Sequence, residues 1–383
     1  MTVPPNLPIL KPGPETDRRF MAAALALGRR NRGAAWPNPA VGALIVRFDE
    51  AGAHVVGRGA TAIGGRPHAE RVALDEAGAA ARGATCYVTL EPCSHYGRTS
   101  PCTDALIEAG VARVVSALED PDPRVAGTGH AKLKAAGIEV TVGVGAAQAR
   151  LAHAGHTSRI VQGRPHVTLK LAVSADGFIG RKGEGQVAIT GADARRATQI
   201  MRMEHDAILI GSGTALADDP LLTVRLEGLE HRSPVRVVLD SHARLPINSA
   251  LVQSTDVAPL WVMVSDDASW RPRDALAAAG ATILPVVHDA WGGLDLKRSL
   301  QMLSDKGITS VLVEGGATLA KALFAADLVD EAAIFTAPMT IGENGIPVLE
   351  GTSLDVALAA NGLTAEHSVR LGADCLTWYR RGS

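Results

Sequence analysis

The residues able to do chemistry lie in two short segments: His68-Ala69-Glu70, and Glu91-Pro92-Cys93 followed by Pro101-Cys102. One imidazole and two thiolates form a ligand set for zinc that leaves the fourth tetrahedral position to water. Glu70 stands two residues beyond His68, outside that set, where a carboxylate can move protons. A metal with an unligated acid beside it is the equipment for hydrolysing an amino group off a heterocycle. Cys86 and Cys375 fall in strand-like runs and are expected to be core residues rather than ligands.

These groups need elements to hold them. Residues 85–90 are β-branched and aromatic, the pattern of a strand, and Cys93 follows directly. Cys102 comes after Pro101 and opens a helix over 102–109 that Gly110 closes. A thiol at a helix N-terminus has a lowered pKa and is more easily a thiolate. His68 opens a helix over 68–77, ended by Gly78. Around them the pattern predicts a helix at 17–30, strands at 41–47, 54–59, 112–118 and 138–143, and a helix at 128–136. That order describes a sheet with helices on its faces. The ligands fall just past strand ends, where open α/β sheets bind ligands.

Further along, Ala-rich helical sequence at 146–160 leads to Gln162-Gly163-Arg164-Pro165, a plausible boundary. A second α/β unit follows, with strands expected at 166–173, 207–211, 235–239, 260–264 and 308–313 and helices at 192–205 and 294–305. No G-x-G-x-x-G follows its first strand, so a Rossmann dinucleotide site is not supported. The run Val313-Glu314-Gly315-Gly316-Ala317-Thr318-Leu319 does turn from strand into helix, offering N–H groups and a positive dipole end to phosphate.

Composition bounds the function. A chain of 383 residues, 46% hydrophobic, suggests two domains. It lacks an apolar run long enough for a membrane span, and the Pro-rich start is unlike a signal peptide. Four cysteines, two assigned to metal, suit a reducing cytoplasm. A nucleic-acid-editing deaminase would need a basic surface and stacking aromatics, but net charge is −2 and aromatics are 3%. A structural zinc module would need a fourth protein ligand, for which His95 is the nearby candidate.

Eight residues separate Cys93 from Cys102, where the commonest deaminase signature has two. The string Thr89-Leu90-Glu91-Pro92-Cys93-Ser94-His95-Tyr96-Gly97-Arg98-Thr99-Ser100-Pro101-Cys102 resembles the zinc loop of the bifunctional riboflavin-biosynthesis deaminase–reductases. Trp36-Pro37-Asn38-Pro39-Ala40-Val41-Gly42 is also similar to that family, as are Leu169–Gly177, Ala217–Arg225 and Val313–Gly316. The resemblance runs from about residue 17 to the end. It implies a cytidine-deaminase-like domain at 14–145, a linker at 146–164 and a dihydrofolate-reductase-like domain at 165–383. The implied cofactors are zinc and NADPH. The implied substrate is a pyrimidine ribose phosphate, which is first deaminated and then reduced.

In the first domain Asn38, His95 and Arg98 are expected at the substrate, with the Arg98 guanidinium able to clamp phosphate. In the second, Ala172, Thr214, Asp218, Ser241 and the turn Gly316, Ala317, Thr318, Leu319, Ala320, Lys321, Ala322 would line the cofactor. Lys170, Arg202, Leu222, Arg225 and Glu314 would line the substrate, the two arginines as phosphate ligands. A homo-oligomer without nucleic-acid or membrane partners is expected. The chain departs from the family at Gly183–Thr190, which is one residue longer than usual and lacks a Trp that would flank the ligands.

Overall fold

The computed structural model describes residues 10–97, 100–123, 125–185, 187–289 and 292–382. The chain forms two compact units, Met1–Gln162 and Gly163–Ser383.

The first unit runs α1 (Pro14–Arg29), β1 (Gly42–Asp49), β2 (Gly52–Ala60), α2 (Ala69–Ala77), β3 (Thr85–Val88), α3 (Cys102–Ala109), β4 (Arg113–Ser116), α4 (Thr128–Ala135), β5 (Glu139–Val142), α5 (Ala146–Ala152) and α6 (Ala154–Gln162). Its sheet has the order β2-β1-β3-β4-β5, with the β3-β4-β5 part parallel and β1 antiparallel to both neighbours. Alternation along the strands sorts side chains to two faces. Ala43, Ile45, Cys86, Val88 and Val114 join Ala69, Ala73, Leu106 and Leu133 on one side. Leu44, Val46, Tyr87 and Val115 meet Met21, Ala24 and Ala149 on the other. The result is a three-layer sandwich.

Two glycines of β2 set how close the helix carrying Glu70 can come. A Cβ on Gly59 would lie 1.9 Å from the Ala69 carbonyl oxygen, and one on Gly57 would lie 2.1 Å from that of Ala73. Only a strand without side chains at these positions lets α2 rest on it. On the opposite face, α1 is pinned by a buried Asp17: Arg113 Nη1 and Nη2 each donate to it at 2.9 Å, and the Tyr87 hydroxyl donates at 2.8 Å.

The expected linker at 146–164 is corrected here. Residues 146–162 form two helices of the first unit, broken at His153, and Ala149 sits in its core. His153 is buried, with Nε2 3.0 Å from Thr89 Oγ1. Burial holds its pKa down at about 3, so the ring is neutral.

The second unit comprises β6 (His166–Val173), β7 (Phe178–Arg181), α7 (Ala192–Met203), β8 (Ala207–Gly211), α8 (Ser212–Asp218), β9 (Val235–Leu239), α9 (Ala250–Gln253), β10 (Leu260–Ser265), α10 (Trp270–Ala278), β11 (Thr282–Val286), α11 (Leu296–Asp305), β12 (Ser310–Val313), α12 (Ala317–Ala325), β13 (Glu331–Thr336), β14 (Gly345–Pro347), α13 (Leu354–Ala360), β15 (Leu363–Leu371) and β16 (Asp374–Arg381). Nine strands form the sheet β11-β10-β9-β8-β12-β6-β13-β16-β15. It is parallel from β11 to β13, and β16 is antiparallel to both of its neighbours. β7 and β14 pair separately. Cys86 is in the first unit's core as expected, whereas Cys375 on β16 is only half-buried. No helix among the described residues is long and apolar enough to cross a membrane.

Candidate active sites

In the first unit the loop after β3, the start of α2 and the start of α3 converge. His68 Nδ1 lies 3.7 Å from Cys93 Sγ and 3.4 Å from Cys102 Sγ, and the Cys102 backbone N–H donates to Cys93 Sγ at 3.3 Å. A nitrogen and a sulfur bound to one tetrahedral zinc stand about 3.5 Å apart, from bond lengths of about 2.0 and 2.3 Å. The donor set therefore fits zinc without rearrangement. Among the described residues these three form one metal-capable group, and neither Glu70 nor His95 joins it. His95 is exposed on the loop. A set of three protein ligands matches the catalytic pattern, which keeps one position for water, rather than the closed structural one.

The metal-free cluster shares protons. Cys93 is pulled down to about 4, first by the hydrogen bond from the Cys102 thiol and then by His68. Cys102 and His68 are both pushed up, each chiefly by its hydrogen bond to Cys93. Glu70 is 4% exposed, and burial pushes its carboxyl up to about 7, with Cys93 adding to the rise and His68 opposing it. Asn38 donates to the Gly65 carbonyl at 2.8 Å and lies 3.4 Å from His68 Nε2. Arg98 lies outside the described residues.

Glu91, quoted in the motif without a role, turns out to organise the neighbouring loop. Its Oε2 accepts from the Asp120 and Gly127 N–H groups at 3.0 and 2.9 Å, and its Oε1 from Gly129 and His130 at 2.7 and 3.2 Å. Glu91, Glu119 and His130 also lie close enough to hold a cation. Four backbone donors already occupy the Glu91 oxygens, however, so this carboxylate is a clamp and not a ligand. The clamp lies one residue from Cys93 across Pro92, and Ser94 Oγ meets Thr128 Oγ1 at 2.7 Å. Glu91→Gln turns one acceptor into a donor facing two N–H groups. It is expected to destabilise the first unit by about 2–6 kcal/mol, read by urea unfolding, with the second unit's transition unmoved.

In the second unit, Lys170 on β6, Arg202 on α7 and Glu314 at the end of β12 meet in a buried polar group. Arg202 Nε and Nη2 donate to the two Glu314 oxygens at 2.8 and 2.9 Å, and Nη1 donates to the Thr223 carbonyl at 3.1 Å. Burial works against the Glu314 carboxylate, but Arg202, Lys170 and Arg225 outweigh it and hold its pKa below the usual range. Burial lowers the Lys170 pKa, with Glu314 opposing. Three of the five Arg202 donors serve Glu314 and the Thr223 carbonyl, and the expected phosphate contact would fall to the other two. Arg225 is exposed, with its backbone N–H on Gln199. Leu222 is buried in the left-handed region at φ 54°, a strained conformation for a branched residue. Glu314→Ala leaves Arg202 buried without its acid. An expected loss of about 3–5 kcal/mol in the second unit, together with lost reduction and intact deamination, is checked by unfolding and by both assays.

Beside this group, α8 and the turn into α12 make a backbone cradle. A Cβ on Gly316 would lie 3.6 Å from Thr214 Oγ1, while at Gly211 and Gly213 it would meet nothing within 4 Å. Gly316 is the N-cap of α12. Leu319 and Ala320 are buried in the core, so of the expected 316–322 contacts these two can serve only through the backbone. Asp218 ends α8, and burial raises its pKa. Ser241 follows β9, and its carbonyl accepts from Ser265. Open glycines at a helix N-terminus beside a hydroxyl suit a phosphorylated dinucleotide. In the departing 183–190 segment, Val187 and Ile189 pack with Ala172 and Phe178, so aliphatic side chains line that part of the unit.

Residues 14–118 match the family model for the cytidine and deoxycytidylate deaminase zinc-binding region, and residues 165–377 match the RibD C-terminal domain. The chain is 38% identical over 368 residues to the riboflavin biosynthesis protein RibD of Aquifex aeolicus, covering 96% of this chain and 99% of that one. It is 41% identical over 348 residues to RibD of Escherichia coli, covering 88% and 92%. Among solved structures, Acinetobacter baumannii RibD aligns with a TM-score of 0.84 at 34% identity, covering 97% of this chain and 100% of that chain. A Thermotoga maritima diaminohydroxyphosphoribosylaminopyrimidine deaminase/5-amino-6-(5-phosphoribosylamino)uracil reductase aligns with a TM-score of 0.82 at 31% identity, covering 96% and 99%.

Fold and sites together define a two-part enzyme, a zinc-dependent deaminase continuous with a nicotinamide-dependent reductase. Its first unit is cytidine-deaminase-like and its second dihydrofolate-reductase-like, and its cofactors are zinc and NADPH. The chain belongs to the RibD family, the bifunctional deaminase–reductases of riboflavin biosynthesis.

Proposed function

We propose that this chain deaminates 2,5-diamino-6-ribosylamino-4(3H)-pyrimidinone 5′-phosphate and then reduces its ribosyl group to the ribityl chain, giving 5-amino-6-ribitylamino-uracil 5′-phosphate. The observation that carries the reading is the cluster of His68, Cys93 and Cys102 with buried Glu70 outside it.

His68, Cys93 and Cys102 would hold zinc, which when bound supplies a water acidic enough to attack near neutral pH. Glu70 takes one proton from the attacking water and hands it to the ring nitrogen, then takes the second from the added hydroxyl and hands it to the departing amine. Burial of Glu70 suits that exchange, because an acid–base group works best with a pKa near the operating pH. Asn38 would orient the pyrimidine beside His68, and His95 and Arg98 would meet the polar edge or the phosphate.

In the reductase half, Ala172, Thr214, Asp218, Ser241 and the 316–322 turn would hold NADPH, which supplies hydride. Lys170 and Glu314 would orient the sugar, Arg202 would fix Glu314, and Leu222 and Arg225 would border the substrate. The reading carries with it a cytoplasmic, homo-oligomeric enzyme acting on a small molecule, with the deaminase activity in the unit that runs to Gln162 and the reductase activity at 165–383.

The test supplies the diaminopyrimidine phosphate with and without NADPH, following ammonia and cofactor absorbance separately. Ammonia release without NADPH, and NADPH oxidation only after deamination, are expected. NADPH oxidation with no ammonia at any stage would overturn the order.

A further inference from the structure

The cofactor residues proposed above fall on four neighbouring strands in turn. Ala172 lies on β6, Gly316 follows β12, Thr214 follows β8 and Ser241 follows β9. These strands are adjacent in the order β9-β8-β12-β6 and all parallel, so their C-terminal ends share one edge of the sheet. We infer that Arg244, in the loop after β9, binds the 2′-phosphate of NADPH and thereby selects it over NADH, an inference resting on the cofactor placement above.

Direction along the edge gives the first reason. The hydride-donating end belongs beside Lys170 and Glu314, at β6 and β12. The cradle of Gly316 and Thr214 takes the pyrophosphate at β12 and β8. The adenosine half then reaches β9, three strand spacings or about 14 Å from β6.

Arg244 is held at that place from two sides. Its Nη2 donates to Ser212 Oγ at 2.8 Å, just past β8, and its Nε lies 3.7 Å from Asp240 Oδ1. The loop beneath it is fixed as well. The Ala243 N–H donates to the Asp240 carbonyl at 2.9 Å, and the Leu245 N–H donates to Asp240 Oδ2 at 2.8 Å. Arg244 Nη1 meets no acceptor among the described residues, and the side chain is 56% exposed. Its outer edge is thus presented to solvent, and a guanidinium fork matches phosphate oxygens two at a time. In other open α/β sheets an acid takes the ribose 2′-hydroxyl of NADH, whereas an arginine accommodates the 2′-phosphate. Here the acid, Asp240, is fully buried and turned to its own loop, and the arginine is the group left facing out.

The test titrates the full chain with NADPH and with NADH, in wild type, Arg244→Gln and Arg244→Lys, following reduced-nicotinamide fluorescence at equilibrium without substrate. Arg244→Gln is expected to weaken NADPH binding roughly 10- to 100-fold, with the Kd for NADH near wild type. Arg244→Lys, which keeps the charge without the fork, should recover part of that loss. Added salt should weaken NADPH more than NADH in wild type, and the difference should shrink in Arg244→Gln. A wild-type chain indifferent between the two coenzymes, equal losses for both, or no loss for either overturns the inference. The second unit's urea transition reports folding; if Arg244→Gln does not fold, a loss confined to NADPH in Arg244→Lys decides in the same way. A wild-type chain that binds neither coenzyme sinks the cofactor placement itself, and this inference with it.

Discussion

Glu70→Gln is expected to reduce ammonia release roughly 100- to 10,000-fold, while reduction of supplied deaminated substrate continues at the wild-type rate. The amide has nearly the same shape, so packing around this buried position changes little. What it lacks is a carboxyl that can take a proton at one moment and return it at the next. Zinc content should stay stoichiometric, because Glu70 is not among the residues that converge as ligands. A parallel fall in both activities would contradict two separate sites.

Cys102→Ser is the second large effect. It removes one of the two sulfurs that face His68 Nδ1 and replaces a soft donor with a hydroxyl. Zinc should drop well below one equivalent and ammonia release should vanish, with chelation of the wild-type chain giving the same result. NADPH oxidation with deaminated substrate should survive both treatments. The pH dependence has a definite sign. In the metal-free cluster Cys102 and His68 hold their protons more tightly than free side chains do. Zinc must displace those protons, so its apparent affinity should rise with pH through the neutral range. Calorimetry in buffers of different ionisation heat reads the released protons directly; binding without proton release would contradict the shared-proton description.

The deaminase site was legible because its signals are local. Pro101 before Cys102, Gly110 after Ala109 and Gly78 after Ala77 mark helix ends that the structure reproduces. Metal ligands are a matter of residue type, and three of them came together as expected. The reductase site was less legible because its pairings are distant. Nothing near Arg202 in sequence tells that its guanidinium will bind Glu314, 112 positions away. Glu91 was missed for a related reason: its partners are backbone N–H groups, and these leave no mark in residue type. The helical break at His153 was hidden in Ala-rich sequence that favours helix on both sides. The closing strand β15 is exposed along most of its length, so a buried-strand pattern could not reveal it.

Bare backbone at Gly57 and Gly59 has a consequence for how this enzyme can change. The helix bearing the proton-shuttling acid leans directly on main chain, so the spacing between sheet and helix has no adjustable side chain to absorb error. Variation that retunes substrate choice is therefore channelled into the loops around the metal, while these two positions stay closed to every larger residue. A library randomised at 57 and 59 and selected for deamination should return glycine alone.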